Sequence, residues 1–290
     1  WVVYRLEYSG LSPRHRYKLN VFDHFGRVAD QRNFRTLDPE TRSGRVAILS
    51  CMLRQFHNPM MWDALSQEEN RPDVMLMIGD SVYLDRDNLL FPKLPTSQYQ
   101  VWESFVAMRN TLKMYFWEDL RPVFSIWDDH DAGGDNITAN SGLPNMVRPI
   151  YDTFFANEEI SGFSKSGPGL ARSFEIFGKN FLLLDGRSFR ELEADSPLFG
   201  KSQELWMLSQ LRSGPSFLVS GGQFFGRFIK KDSFEYDYPE QWQKFISRLK
   251  DRGNEVGAQI AFVSGDVHFS EIQQIEPEAL GYLTFEISSS

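Results

Sequence analysis

The chain has a single cysteine, Cys51, among its 290 residues, so no disulfide can form within it and a disulfide-stapled scaffold is excluded. It has no apolar run approaching the roughly 20 residues that a bilayer-spanning helix needs. No signal-peptide pattern opens it either, since Trp1 leads straight into strand-like sequence. Basic charge is not in excess: 31 Lys and Arg stand against 39 Asp and Glu, a formal charge of −8. That balance argues against a nucleic-acid-binding surface or a membrane-surface binder. Internal repeats and low-complexity tracts are missing as well. What is present is an ordinary globular composition, 41% hydrophobic and rich in phenylalanine, on a chain long enough to bury a large core.

Residues 1–40 read as short β segments, with Val2, Tyr4 and Leu6 and then Tyr17, Leu19 and Val21 alternating with polar neighbours. A polar, Pro- and Gly-containing linker follows at Leu37–Gly44. From residue 44 to 290 the pattern changes to short apolar runs separated by helical stretches. Strands are expected at Val46–Ser50, Val74–Ile78, Val123–Trp127, Phe181–Leu184, Phe217–Ser220 and Ile260–Ser264. Helices are expected at Met60–Glu69, Gln98–Trp117, Val147–Asn157, Lys201–Leu211 and Pro239–Arg252. Such alternation predicts an α/β layered domain whose strands are buried on both faces. In the second of these helices, Val101, Phe105, Met108, Leu112 and Tyr115 follow helical spacing and read as core.

Metal-capable side chains fall at the carboxyl ends of four of these strands: Ser50-Cys51, Gly79-Asp80, Asp128-Asp129-His130-Asp131, and Gly265-Asp266-Val267-His268. In open α/β sheets that edge is where ligands bind. A lone Gly-Asp is an ordinary turn. Three carboxylates around one imidazole directly after a buried strand are another matter, because they repel one another unless a cation is present. Aspartates and a histidine suit a hard or borderline ion, whereas a thiolate or phenolate prefers iron or zinc. The mixed set therefore points to two or more ions. Paired ions bridged by a carboxylate are the usual arrangement for phosphoryl-ester hydrolysis.

In six blocks the sequence resembles the alkaline phosphatase D-like (PhoD-type) metallophosphatases of the calcineurin-like metallophosphoesterase superfamily. The blocks are Ser50-Cys51; Pro72-Asp73 through Ile78-Gly79-Asp80-Ser81-Val82-Tyr83; Trp127-Asp128-Asp129-His130-Asp131; Leu184-Asp185-Gly186-Arg187-Ser188-Phe189-Arg190; Phe199-Gly200-Lys201-Ser202-Gln203 leading to Trp206; and Ser264-Gly265-Asp266-Val267-His268-Phe269-Ser270-Glu271. The similarity runs from about residue 44 to 290, and residues 1–40 are similar to the closing strands of the fibronectin-like β domain that precedes the family's catalytic domain. The resemblance implies that the earlier strands of that domain lie before Trp1 and that the family chain continues beyond Ser290. Two departures are present: Ala132-Gly133-Gly134-Asp135-Asn136 replaces the family's Tyr-Gly-x-Asn-Asp pattern, and Leu184-Asp185-Gly186-Arg187 replaces Leu-Asp-Thr-Arg.

The fold implied is a four-layer α/β/β/α sandwich preceded by a partial fibronectin-like β segment. The resemblance also implies a site. Cys51 would be a thiolate ligand to iron, Asp80 would bridge the ions, and Tyr99 would supply a phenolate to the iron, with Tyr83 as its competitor. Asp129 and Asp266 would bind a second, calcium-like ion, and His268 the iron side. His130 would face the substrate phosphate. Arg187 would bind phosphate or pair with Asp185, while Arg190 and Arg54 are further basic helpers. Asp128, Asp131, Asp135 and Asn136 are supporting or additional ligand candidates. Iron (Fe3+) and calcium are the cofactors implied; zinc, manganese and magnesium also suit the donor set.

The activity implied is hydrolysis of a small phosphorylated substrate by metal-activated hydroxide at a multinuclear site, as a phosphomonoesterase. Two alternatives stand beside it: a phosphodiesterase or phospholipase D-type hydrolase, and a non-catalytic, metal-stabilised binding domain. Arg86–Gln98 and Asn136–Pro149 are the expected specificity loops, and Phe224-Phe225-Gly226-Arg227-Phe228 is a candidate aromatic platform. Family habit implies export, to the periplasm, the cell surface or beyond.

Overall fold

The structure, a computed structural model, describes residues 2–86, 93–156, 159–191, 196–226 and 232–290. The first half contains β1 (Arg16–Phe22), β2 (Val28–Arg35), β3 (Val46–Leu49), α1 (Met60–Ser66), β4 (Val74–Ile78), α2 (Gln98–Thr111), β5 (Val123–Ile126), α3 (Asp129–Ala132) and α4 (Leu143–Phe155). The second half contains β6 (Ser164–Ser166), β7 (Arg172–Ile176), β8 (Lys179–Leu184), α5 (Lys201–Gln210), β9 (Gly214–Ser220), α6 (Phe234–Asp237), α7 (Pro239–Val256), β10 (Ala258–Ser264), β11 (Glu271–Ile275), α8 (Pro277–Leu280) and β12 (Thr284–Ser288).

Strands β3, β4 and β5 form a three-stranded parallel sheet, and β11-β12-β10-β9-β8-β7-β6 form a seven-stranded mixed one. All five residues of β4 are buried, as expected for a central parallel strand covered on both faces. Along β8 the side chains alternate between two cores. Phe181 and Leu183 join the core shared with the small sheet, while Leu182 and Leu184 join the one under α5 and α7. Val219 and Val263 likewise face the first core, and Leu218, Ile260 and Phe262 the second. Val101, Phe105 and Met108 of α2 and Val147, Ile150 and Tyr151 of α4 close the far side of the small sheet. The result is the expected α/β sandwich of helices, two sheets and helices, similar to the arrangement implied by the sequence.

Ser97 caps α2 by accepting a hydrogen bond from the Gln100 amide at 3.3 Å. That helix is shorter than its periodicity predicts. Leu112 leaves helical backbone (φ −77°, ψ 100°), and Lys113–Phe116 make a single 3-10 turn, burying Leu112 and Met114. At the N-terminus the alternation over Val2–Leu6 forms no strand, and β1 and β2 make an isolated antiparallel hairpin. The hairpin is tied to the sandwich through Asn33, whose amide donates to Glu118 O and whose carbonyl accepts from Leu120 N, both at 2.7 Å. Arg16 and Arg71 share Asp119, at 2.7 and 2.9 Å. No helix among the described residues is long and apolar enough to cross a membrane.

Candidate metal centre

The site lies where the strands of both sheets end. Ser50-Cys51, Gly79-Asp80 and Trp127–Asp131 follow β3, β4 and β5, and Gly265-Asp266 follows β10. Cys51, Asp80, Asp266 and His268 all take left-handed backbone (φ 55°, 52°, 72° and 57°). Such conformations are uncommon outside glycine and gather at functional sites. Here they bend each chain back at the sheet edge, locked by Met52 N donating to Asp80 O at 2.7 Å and Gly265 N donating to Gly221 O at 2.8 Å. Gly79, at φ 97°, allows the close crossing of β4 and β5: a Cβ there would sit 2.6 Å from the Asp128 Cβ.

Asp80, Asp128, Asp129 and Asp266 each bring a carboxylate oxygen within 4.8 Å of the others, and Asp80, Asp129 and His130 form a second group by the same measure. All are buried except Asp266, which is half-buried. The Asp80 Oδ1 atom is buried and has no hydrogen-bond partner. Burial, then repulsion from Asp129 and Cys51, drives the Asp80 carboxyl well above the usual carboxylate range. Burial with Asp128 and Asp129 does the same to Asp266. Asp129 goes the other way. Burial opposes its charge, but Arg187, His130 and the amides of Asn136 and His130 outweigh it and lower its pKa. Arg187 in contact with the cluster and Arg190 behind it cannot balance four carboxylates, so the donor set and the orphaned oxygen of Asp80 fit a bound cation.

Arg187 is fully buried and grips Asp128 in a two-point pair, Nε to Oδ1 at 2.5 Å and Nη2 to Oδ2 at 3.0 Å, with Asp129 3.6 Å away. This corrects the expected pairing with Asp185. That carboxylate instead accepts from Trp127 Nε1 (2.6 Å) and from the amides of Leu170, Arg187 and Ser188, which organises the loop after β8. Asp131 is also structural. It accepts from Val82 N at 2.8 Å and Asp128 N at 3.1 Å, and burial pushes its pKa up to about 7.

His130 is held by a residue that sequence reasoning missed. Its Nδ1 lies 2.7 Å from Asp85 Oδ1, and a ring nitrogen lies within 4.8 Å of carboxylate oxygens of Asp80 and Asp129. Burial disfavours the imidazolium, but the Asp85 hydrogen bond and the Asp129 charge outweigh it and raise the pKa. Tyr83 stacks on the imidazole with ring centroids 4.2 Å apart, and its hydroxyl is hydrogen bonded to the Cys51 sulfur. Cys51 in turn reaches Asp80 Oδ2 at 3.7 Å. The available signal for Asp85 was an acidic residue in the Ser81–Asp85 turn whose neighbours Val82 and Leu84 are apolar and buried.

Several expected ligands lie outside both groups: Cys51, which reaches only Asp80 of the cluster, and Tyr99, His268, Asp135 and Asn136. Tyr99 is 64% exposed on α2 with its hydroxyl on Glu103, so the structure turns it to solvent. His268 is exposed and outside both groups, its amide donating to Ser290 Oγ at 2.9 Å. Asp135 and Asn136 are exposed too, and Asn136 acts through its backbone, its amide donating to Asp129 Oδ2 at 2.7 Å. The aromatic platform is not one: Phe224 and Phe225 are buried in the second core, and Arg227 and Phe228 lie outside the described residues. Part of the expected specificity loop, residues 87–92, also lies outside them. A cavity of about 640 Å³ sits at the other end of the small sheet, between the hairpin and the starts of β3, β4 and β5, and is lined by none of these residues.

No protein-family model matches the chain, and no curated protein matches it. Among solved structures the fold is similar to that of PhoD, with a TM-score of 0.73 and 17% identity over 97% of this chain. The chain spans 63% of the PhoD chain that it matches.

Proposed function

We propose that this chain is a metal-dependent phosphoester hydrolase acting on small phosphate monoesters, in the manner of alkaline phosphatase D. The observation that carries the reading is the convergence of Asp80, Asp128, Asp129 and Asp266 within 4.8 Å, with one buried Asp80 oxygen left unpartnered beside His130. The similarity of the fold to PhoD supports it.

Cys51, Tyr83 and Asp80 would hold an iron-like or zinc-like ion, and Asp129 with Asp266 would hold a harder ion such as calcium, manganese or magnesium. Asp128 is committed to Arg187. When bound, such ions supply a Lewis acid for the phosphate oxygens and lower the pKa of water. In a chain of charge −8, the attraction for an anionic ester would come from them rather than from surface residues.

The protein's own groups position and protonate. Asp85 fixes the His130 ring through Nδ1, and its hydrogen bond, together with the Asp129 charge, favours the protonated ring against the opposing effect of burial. Attack of water on phosphorus forms one P–O bond and breaks the bond to the ester oxygen, and His130 would give that leaving oxygen its proton. Arg187 acts on the reaction through Asp128, holding the carboxylate in register.

The test is elemental analysis of the protein purified without added metal, with hydrolysis of 4-nitrophenyl phosphate and of bis(4-nitrophenyl) phosphate. Stoichiometric bound metal, with faster cleavage of the monoester and loss of one metal and of activity in Cys51→Ala, is the expected result. Faster cleavage of the diester would replace the monoesterase by the phosphodiesterase. A metal-free protein, inactive on both esters after iron and calcium are supplied, would overturn the hydrolase reading.

A further inference from the structure

The cavity of about 640 Å³ between the hairpin and the sandwich is lined by six arginines and four carboxylates, in a chain whose formal charge is −8. Arg14, Arg16 and Arg35 come from the hairpin and the turn before it, and Arg45, Arg71 and Arg121 from the segments that lead into β3, β4 and β5. Positive charge is thus gathered at one place on a molecule that is negative as a whole. The carboxylates there are shared. Arg16 and Arg71 both pair with Asp119, at 2.7 and 2.9 Å. Arg14 lies 3.4 Å from Asp38, which is also attracted by Arg35. Asp73 Oδ2 accepts from the backbone amide of Arg45 at 2.8 Å.

Arg45 and Arg121 make no ion pair among the described residues, and both are held in the same way. Arg45 Nη1 donates to the carbonyls of Glu68 and Glu69, at 3.2 and 2.6 Å. Arg121 Nη1 donates to the carbonyls of Asp119 and Leu120, at 3.4 and 2.9 Å. Carbonyls fix a guanidinium without cancelling its charge. In each arginine no described residue meets Nε or Nη2. Those two donors make the planar fork that grips a phosphate or carboxylate at two points. Phe34, Leu37 and Leu120, all half-buried, and the buried Phe177 supply apolar walls. The volume is that of a small-molecule site.

We propose that this cavity binds a small organic dianion, an aromatic or otherwise apolar body with two negative charges on phosphate or carboxylate groups, anchored by Arg45 and Arg121. The excess of two arginines over carboxylates sets the charge of the ligand. Its occupant would bridge the arginines of the hairpin and those of the sandwich, which otherwise repel each other. The site lies at the starts of β3, β4 and β5, whereas the carboxylate cluster follows their ends, roughly 16 Å away along the five residues of β4. It is separate from that cluster and does not rest on the phosphoesterase reading.

The experiment uses 4-bromophenylphosphonate and 4-bromophthalate, neither of which has a phosphate ester to hydrolyse. Crystals of the metal-loaded parent soaked in each are expected to show an anomalous bromine peak inside the cavity, and the head group that gives it names the class of ligand. Isothermal titration calorimetry should show that compound binding about tenfold more weakly to Arg45→Gln and to Arg121→Gln, the loss expected when a charged hydrogen bond is removed. Arg121 bonds only within its own segment, so Arg121→Gln carries the comparison where Arg45→Gln loosens the turn at Glu68 and Glu69. The singly charged 4-bromobenzoate should bind more weakly than the dianion. A bromine peak at the carboxylate cluster alone, no peak with either compound, or equal affinity in the parent and both variants would each overturn the site, whatever the hydrolase assays return.

Discussion

Tyr83 and Tyr99 compete for one role, and their surroundings separate them. Tyr83 has its ring against His130 and its hydroxyl against Cys51, where burial and then the Asp80 and Cys51 charges push its pKa upward, so only a strong counter-charge would release its proton. Tyr99 shares an exposed helix face with Glu103. The helical phase already contained this result. Val101, Phe105 and Met108 mark the buried stripe of α2, and a residue two positions before Val101 points to the other side. Tyr83 was harder to read, since a turn residue's direction is set by what packs around it and no period reveals it. Tyr83→Phe is expected to lower metal content and to cut 4-nitrophenyl phosphate hydrolysis by roughly 10- to 100-fold, the usual cost of disturbing a ligand or its support. Tyr99→Phe should stay within about twofold of the parent, as a surface change does. Equal behaviour of the two variants would remove Tyr83 from the site.

At the level of elements, the parallel strands were legible because their residues are buried on both faces and read as unbroken apolar runs: Val74–Ile78 was bounded to the residue. The same runs ending in Gly-Asp marked the edge where the carboxylates gather. Strands β6, β7, β11 and β12 were not expected. Glu271–Ile275 and Thr284–Ser288 mix polar and apolar residues, and one of those polar residues is the interior Glu286. This carboxyl accepts from the amides of Phe224 and Phe225, from Ser264 Oγ and from Gln273 Nε2, at 2.6 to 2.9 Å. It therefore ties the loop after β9 to the end of β10 just before Gly265-Asp266. Four donors favour the carboxylate, yet burial is the larger effect and pushes the pKa up to about 7. With the folded pKa above the unfolded one, the folded state binds the extra proton between about pH 4.5 and 7, so stability falls as pH rises through that window. The parent is expected to lose about 3 kcal/mol between pH 5 and pH 8 from this group. Glu286→Gln should lack that slope and be destabilised at pH 5 by about 1–3 kcal/mol, because its amide N–H must face a donor. Urea unfolding of both proteins at the two pH values checks it; parallel pH dependence would show that Glu286 does not titrate in this range.

For the molecule as a whole, the sandwich concentrates negative charge at one end of both sheets while carrying −8 overall, so the folded state pays an electrostatic cost there that a bound cation would remove. Chelation is therefore a test of stability as well as of activity. If the cluster holds metal, removing it should lower the melting temperature at pH 8 by on the order of 10 °C, the effect of a ligand present far above its Kd. The drop should shrink at lower pH, for a reason with a definite sign. In the metal-free protein, Asp80 and Asp266 have folded pKa values raised above their unfolded ones, so protonation relieves the repulsion, and stability is greatest in acid and lost as pH rises. At pH 5 protons do part of the cation's work, and they also compete with it for the same oxygens. Scanning calorimetry with and without chelator at pH 5 and pH 8 separates the cases. A chelator effect that is large at pH 8 and small at pH 5 is the signature of a buried carboxylate centre. An effect of equal size at both would place the metal on groups that do not titrate between them, and no effect at either would mean that the four aspartates are balanced within the protein itself.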